Sequence, residues 1–359
     1  MSNASAVEPT RRSFADHPLA QLTLVRFREF WREPEAVFWV FVFPILLAAG
    51  LGLAFRNRPP EVLHVAVPQS AAGAQELAQA LRSDSALDVQ LLPDRAAEHA
   101  LRTGQVALLA SRTPDSAVIF SYDETRPEAR DARLIADGAI QRAAGRRDLV
   151  PVRVQQVKER GSRYIDFVVP GLLGMNLMGS GIWGIGFGIV DARKKKLLKR
   201  LIATPMSRSQ YLASFILSRL GLLVVEVITL VGFALLIFDV PLRGSALQLG
   251  AICLLAALAF GALGLLVASR ARTMEAASGL MNLVMLPMWI FSGVFFSASN
   301  FPAAAQPFIQ ALPLTATIDA IRGTMLQGAS LASIGSELAI MSGWLAVSFL
   351  LALKLFRWR

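Results

Sequence analysis

Six apolar runs constrain this chain more than anything else in it, at about 36–55, 165–190, 212–238, 246–269, 276–298 and 334–356. A hydrocarbon layer of roughly 30 Å takes about 20 helical residues, and inside it every backbone N–H and C=O must be bonded within the segment or a closed sheet. Each run approaches or exceeds that length, so six transmembrane helices are expected. Composition agrees: 54% hydrophobic residues, 17% charged residues and a mean hydropathy of +0.49 are too apolar for an ordinary soluble protein. The expected fold is an α-helical polytopic membrane protein with a small α/β extracytoplasmic domain inserted between helices 1 and 2.

The formal charge of +10 raises nucleic acid as a partner, and the distribution of that charge argues against it. The N-terminal tail, the 191–211 connection, the 270–275 turn and the C-terminus carry 17 Lys and Arg, whereas the two short connections on the other side carry only Arg243 and Arg322. That asymmetry is a topology signal and places both termini in the cytoplasm. The 56–164 connection then lies outside. Its 16 basic and 14 acidic residues nearly cancel, as in a folded soluble domain. The first run follows basic residues but has a long tail ahead of it and no small-x-small site near 51–55, so it reads as an uncleaved anchor.

Residues 1–35 read as a polar tail followed by a headgroup-level helix, in which Leu19, Leu22, Val25, Phe30 and Trp31 alternate with Arg26, Arg28 and Arg32. Pro34 ends it and starts the first span, 36–55. Within 56–164, strands are expected at Val62–Val67, Leu87–Leu92, Val106–Ala110, Val118–Ser121 and Val150–Val157. Helices are expected at Ala71–Arg82, Asp94–Arg102 and Pro127–Ala144. The membrane core is 165–359. Within it, 299–330 is interrupted by Pro302, Pro307 and Pro313 and reads as short helices at or dipping into the outer face.

The chain is poorly supplied for catalysis. Its three histidines, His17, His64 and His99, sit in no HExxH or similar spacing, and it has no GxSxG elbow and no Walker A sequence. Cys253 is the one cysteine, which excludes disulfides and thiolate metal clusters. No catalytic residue, metal site or cofactor of its own is expected. The GxGxxG match at Gly179, Gly181 and Gly184 lies inside an apolar run, where glycines serve close helix packing or local unwinding. Asn176, Gly179, Gly181, Glu226 and Asn282 are the small or polar residues within spans that could line a route for cargo. Packing is the alternative for the glycines, and a structural clamp the alternative for Glu226. A charge at mid-bilayer costs roughly 2.5–3.5 kcal/mol, so Glu226 should find a partner. Arg219, seven residues earlier, stands about 10 Å away along the helix; it is expected to be out of reach and to snorkel towards the cytoplasm. Asp319 and Arg322 are spaced to pair at i, i+3.

The 191–211 connection carries more than topology. Leu197, Leu198, Leu201 and Ile202 form an apolar ridge beside Lys195, Lys199 and Arg200, and Thr204-Pro205 ends it. A solvated basic loop needs no such ridge; a protein partner or anionic lipid does.

In order along the chain come YDETRPEA (Tyr122–Ala129), VVPGLLGMN (Val168–Asn176), KRLIATPMSRSQYLASF (Lys199–Phe215), FSGVFF (Phe291–Phe296) and LPLTATIDAIRGTML (Leu312–Leu326). Their joint order, covering nearly the whole chain, resembles ABC-2-type permeases of ATP-binding-cassette exporters. The resemblance implies a half-transporter in the bacterial inner membrane that pairs with a second permease, identical or homologous, and with cytoplasmic ATPase subunits that bind the ATP. It implies that Asp191, Arg193, Lys195, Leu197, Leu198, Arg200, Leu201, Thr204 and Pro205 belong to the ATPase-coupling helix. Asp191 stands near where the family usually has Glu, and Lys194–Lys196 replace more mixed residues. The competing reading is a membrane-anchored binding or assembly protein whose working part is 56–164.

Overall fold

Proline and glycine set the element boundaries. In the computed structural model, which describes residues 18–55, 62–147, 160–194, 208–271 and 273–355, helix α1 (Pro18–Arg32) stops where Glu33 turns extended ahead of Pro34. Pro34 then occupies the first turn of α2 (Pro34–Ala54), where its missing N–H costs nothing. One wide π-helical turn, Phe38–Val42, interrupts α2. Six described helices are long and apolar enough to cross a membrane: α2, α6 (Tyr164–Lys194), α7 (Arg208–Ile237), α8 (Ala246–Arg270), α9 (Met274–Phe291) and α12 (Gly335–Leu355). Between α9 and α12 lie two short 3-10 turns, α10 (Gln306–Gln310) and α11 (Pro313–Arg322), which Gly323–Gln327 extends as a second wide turn.

The chain separates into two compact units, residues 57–156 and the remainder. The smaller unit has the element order β1 (Leu63–Pro68), α3 (Ala74–Arg82), β2 (Leu87–Leu92), α4 (Asp94–Arg102), β3 (Leu108–Arg112), β4 (Val118–Ser121), α5 (Pro127–Ala143). Its sheet runs β2-β1-β3-β4, with β2 and β3 parallel to β1 and β4 antiparallel to β3. Val65, Val67, Val89, Leu108 and Ala110 face α3 and α5; Ala66 and Leu109 face α4. Strand β3 starts two residues later than its apolar run suggests, because the Val106 N–H turns back to the Ala100 carbonyl behind α4. The Val150–Val157 strand lies outside the described residues.

On the uncovered part of this sheet, His64 and Asp88 are paired in register and their side chains meet at 2.9 Å. That hydrogen bond, helped by Gln90, holds the Asp88 carboxyl below its ordinary value of 3.8. A depressed carboxylate contributes stability that is fully present above its unfolded pKa and is lost as pH falls through the folded one. Amide exchange in β1 and β2, corrected for intrinsic rates, should therefore accelerate below about pH 4 and lose that extra pH dependence in Asp88→Asn. Both side chains are about half exposed, so the effect is small.

In the larger unit α6 is the central helix. Of its most apolar window 83% is buried, against 22% for α2 and for α9, so neighbours surround α6 while α2 and α9 keep most of their surface outward. Leu172, Leu173, Leu177, Met178 and Ile182 of α6 pack with Ile252, Ala256 and Phe260 of α8 and with Leu314 and Ile318 of α11. The close approach of α6 and α8 depends on glycine: a Cβ on Gly264 would sit 2.7 Å from the Ile182 carbonyl oxygen, and one on Gly181 2.8 Å from Phe260 Cβ. Helix α9 ends earlier than its apolar run, at Phe291, where the Ser292 N–H closes on the Met288 carbonyl and Gly293 (φ +76°) turns the chain.

Candidate functional site

The start of α6 is fixed by a fully buried carboxylate. Asp166 accepts the N–H groups of Gly161 (2.9 Å) and Arg163 (3.0 Å) on Oδ2, and the Arg163 guanidinium spans both its oxygens. The Arg163 N–H, at the helix start, is one that has no intrahelical partner, and the Gly161 N–H belongs to the turn leading into it. Arg163 also reaches the Asp239 carbonyl beyond α7, and Arg160 pairs with the Asp239 carboxylate at 2.6 Å. Nearby, Arg322 stacks 3.8 Å over the Phe167 ring and donates to the Phe167 and Gly293 carbonyls, with Asp319 at 3.6 Å. Sequence reasoning missed Asp166. Its signal was an acidic residue two positions inside a membrane helix.

Midway along α6 the polar residues serve different neighbours. The Asn176 amide donates to the Val40 carbonyl at 3.0 Å, in the wide turn of α2 where the regular hydrogen-bond ladder is broken. Gly181 faces α8, Gly179 lies nearest Met285 of α9, and Glu226 is buried beside Ser180. Asn282 sits on the exposed side of α9. Within one chain these five residues form no continuous lining. Gly181 serves close packing, and Asn176 pins α2 to α6.

Glu226 and Arg219 correct the expectation that they stand too far apart to pair. The guanidinium and the carboxylate meet at 3.2 Å, and the Ser180 hydroxyl is hydrogen-bonded to both. Seven residues is nearly two helical turns, so both side chains leave the same face; the long arginine side chain then lies along the axis and closes the separation. It does not snorkel to the surface. The side chain of Arg219 is 12% exposed and that of Glu226 fully buried. Gly184 of α6 leaves room for the guanidinium, whose nearest nitrogen is 4.0 Å from where a Cβ would stand. Ser180 went unrecognised because it lies inside the GSGIWG match, yet a buried carboxylate facing α6 needs a donor there.

Of the proposed coupling residues, Asp191 is half-buried in the last turn of α6 and Arg193 belongs to the same helix. Lys195, Leu197, Leu198, Arg200, Leu201, Thr204 and Pro205 lie outside the described residues. What the structure does give is the frame: α6 leads into this segment and α7 leaves it. Helix α1 packs along α7, with Arg26 Nε donating to Ser214 Oγ at 3.1 Å and Phe27 against Gly221.

A family model described as ABC-2 family transporter protein matches residues 35–354, from the start of α2 to the end of α12. The chain belongs to the ABC-2 transporter family. Nodulation protein J of Rhizobium leguminosarum bv. viciae is 34% identical over 102 residues, covering 28% of this chain and 39% of that protein. Its counterpart in Rhizobium meliloti (strain 1021) is 34% identical over 105 residues, covering 29% and 40%. ABC transporter G family member 20 of Dictyostelium discoideum is 28% identical over 170 residues, covering 47% and 23%. The alignments thus span less than half of each of these relatives. ABC-2 family membership makes this chain a membrane-embedded transport component.

Proposed function

We propose that this chain is the permease subunit of an ATP-driven exporter in a bacterial inner membrane, working with a second permease copy or homologue and a separate cytoplasmic ATPase. The observation that carries the reading is the family match over residues 35–354 in a chain that has no nucleotide-binding loop of its own. The basic asymmetry of the short connections supports cytoplasmic termini and an outer location for the 57–156 unit. Helices α2 and α9 leave most of their apolar surface uncovered by their own chain, which suits a second permease on one side and lipid on the other. In this reading ATP binding moves the ATPase subunits, the Leu197–Leu198–Leu201–Ile202 ridge follows them, and the α6–α7 hairpin carries the displacement into the membrane.

The test is reconstitution with the cognate ATPase. Leu198→Asp puts a charge on a ridge that must be dry when docked, and should reduce ATPase activity stimulated by the permease by about 10- to 100-fold while leaving the chain's own melting temperature unchanged. Full stimulation in that variant would refute the proposed contact.

A second reading is favoured by the 57–156 unit, which has its own buried core and sheet. It makes that unit a binding or assembly module held at the membrane. It expects the unit expressed alone to fold and to retain all binding, with the 191–211 segment dispensable.

A further inference from the structure

We propose that Ser180, Arg219 and Glu226 form a brace that makes α6 and α7 move as one lever, so that they are positioning residues for transport coupling. This rests on the exporter reading above. Three observations converge on it.

The cluster is placed where a lever needs it. Helix α6 ends at Lys194 and α7 begins at Arg208, so the two are the arms flanking the proposed coupling segment. Ser180 lies 14 residues before the end of α6 and Glu226 18 residues after the start of α7. At about 1.5 Å per residue, both stand more than 20 Å from the ends of those arms, at the depth of the membrane interior.

The arms have little else to hold them together. Only 33% of the most apolar window of α7 is buried, and its packing on α6 is far slighter than that of α8 on the same helix. Leucine against leucine slides easily when lipid is an equally good neighbour. The carboxylate and guanidinium both ride on α7, and sliding α6 past them would break the two bonds of the Ser180 hydroxyl and leave a buried ion pair short of a polar neighbour in an apolar interior.

The cluster is also incompletely satisfied. Glu226 Oε1 and Arg219 Nε are buried without a hydrogen-bond partner among the described residues, while Glu226 Oε2 receives Ser180 and Arg219 together. All the bonding drawn from Glu226 therefore passes through the one oxygen that faces α6. A group kept only to stabilise the fold could be replaced by apolar side chains at no loss, as buried ion pairs often can.

That difference supplies the test. In nanodiscs with the cognate ATPase, a bimane label at Leu236→Cys, an exposed position near the far end of α7, reports motion there, and Cys253 stays in place because it is buried. ATP with vanadate should shift the emission of the otherwise wild-type chain. Arg219→Leu with Glu226→Leu removes both charges together; it should melt near the wild-type temperature, retain basal ATP hydrolysis, and lose the shift roughly tenfold. Ser180→Ala, which leaves the ion pair intact and endangers folding least, should lower the shift in the same direction, and Ser180→Thr should restore it. A full shift in both the double-leucine and the Ser180→Ala chains overturns the brace. No shift in the parent chain, with the ATPase bound and hydrolysing, instead overturns the exporter reading and takes the brace with it.

Discussion

Gly264→Val should yield a chain that inserts but does not reach a monodisperse folded state in detergent. The α6–α8 contact has no slack at this point, because even the first carbon of a side chain would meet the Ile182 carbonyl oxygen at 2.7 Å and the Ile182 Cα at 3.0 Å. Both obstacles are backbone, and no rotamer change relieves them. Overpacking a tight core costs roughly 1–3 kcal/mol when neighbours can adjust, and the upper end or beyond applies where a helix must move bodily. Gly250, four turns towards the other end of the same helix, has nothing within 4 Å of its would-be Cβ. Gly250→Val is therefore the control. Comparable size-exclusion profiles and melting temperatures for the two variants would show that the contact is looser than described.

The second large effect concerns charge. Arg219→Met should destabilise the folded chain by about 3–5 kcal/mol, because it leaves the fully buried Glu226 with only the Ser180 hydroxyl for company. Adding Glu226→Leu to Arg219→Met should recover most of that loss, since the expensive species is the lone carboxylate and not the missing pair. Thermal denaturation of the two single variants and the double closes a cycle. Strict additivity, with the double worse than either single, would show that the two side chains do not depend on each other.

Much of the architecture was legible in the sequence, because membrane helices announce themselves by length and apolarity. The expected and observed spans agree to within a few residues, apart from the C-terminal end of the fifth and the N-terminal end of the third. The fifth was overextended because FSGVFF is apolar throughout; what stops α9 is the left-handed backbone of Gly293, which hydropathy does not register. In the smaller unit, short runs of strand-forming residues located β2 and β4 to the residue, while β3 slipped by two where a turn took the first N–H.

The polar interior was harder to read. Glu226 could be singled out because charge in a span is costly. Its partners could not, since the i, i+7 reach of Arg219 depends on a rotamer and that of Ser180 on which face of α6 meets α7. Asp166 was hidden by its position in the first turn of a span, where an acid looks like ordinary solvated flank. Asn176 was noticed for polarity as a residue that could line a route, and the engagement of its amide by the Val40 carbonyl was not legible because it depends on which face of α6 meets α2.

That engagement bears on how the N-terminal helix is aimed. The five-residue turn at Phe38–Val42 holds one residue more than a regular turn, and each residue of helix corresponds to about 100° of rotation. Everything before Phe38, including α1 where it lies across α7, is swung by that amount relative to a straight continuation of α2. Removing one residue from this stretch would close the ladder as a regular turn with Arg26 and Phe27 still directed at Ser214 and Gly221, whereas winding all five residues into a regular helix would point them away. A single extra amino acid is therefore absorbed by the wide turn, and a substitution that regularised the turn without shortening it should be felt less at the turn itself than at the far end of the helix it steers.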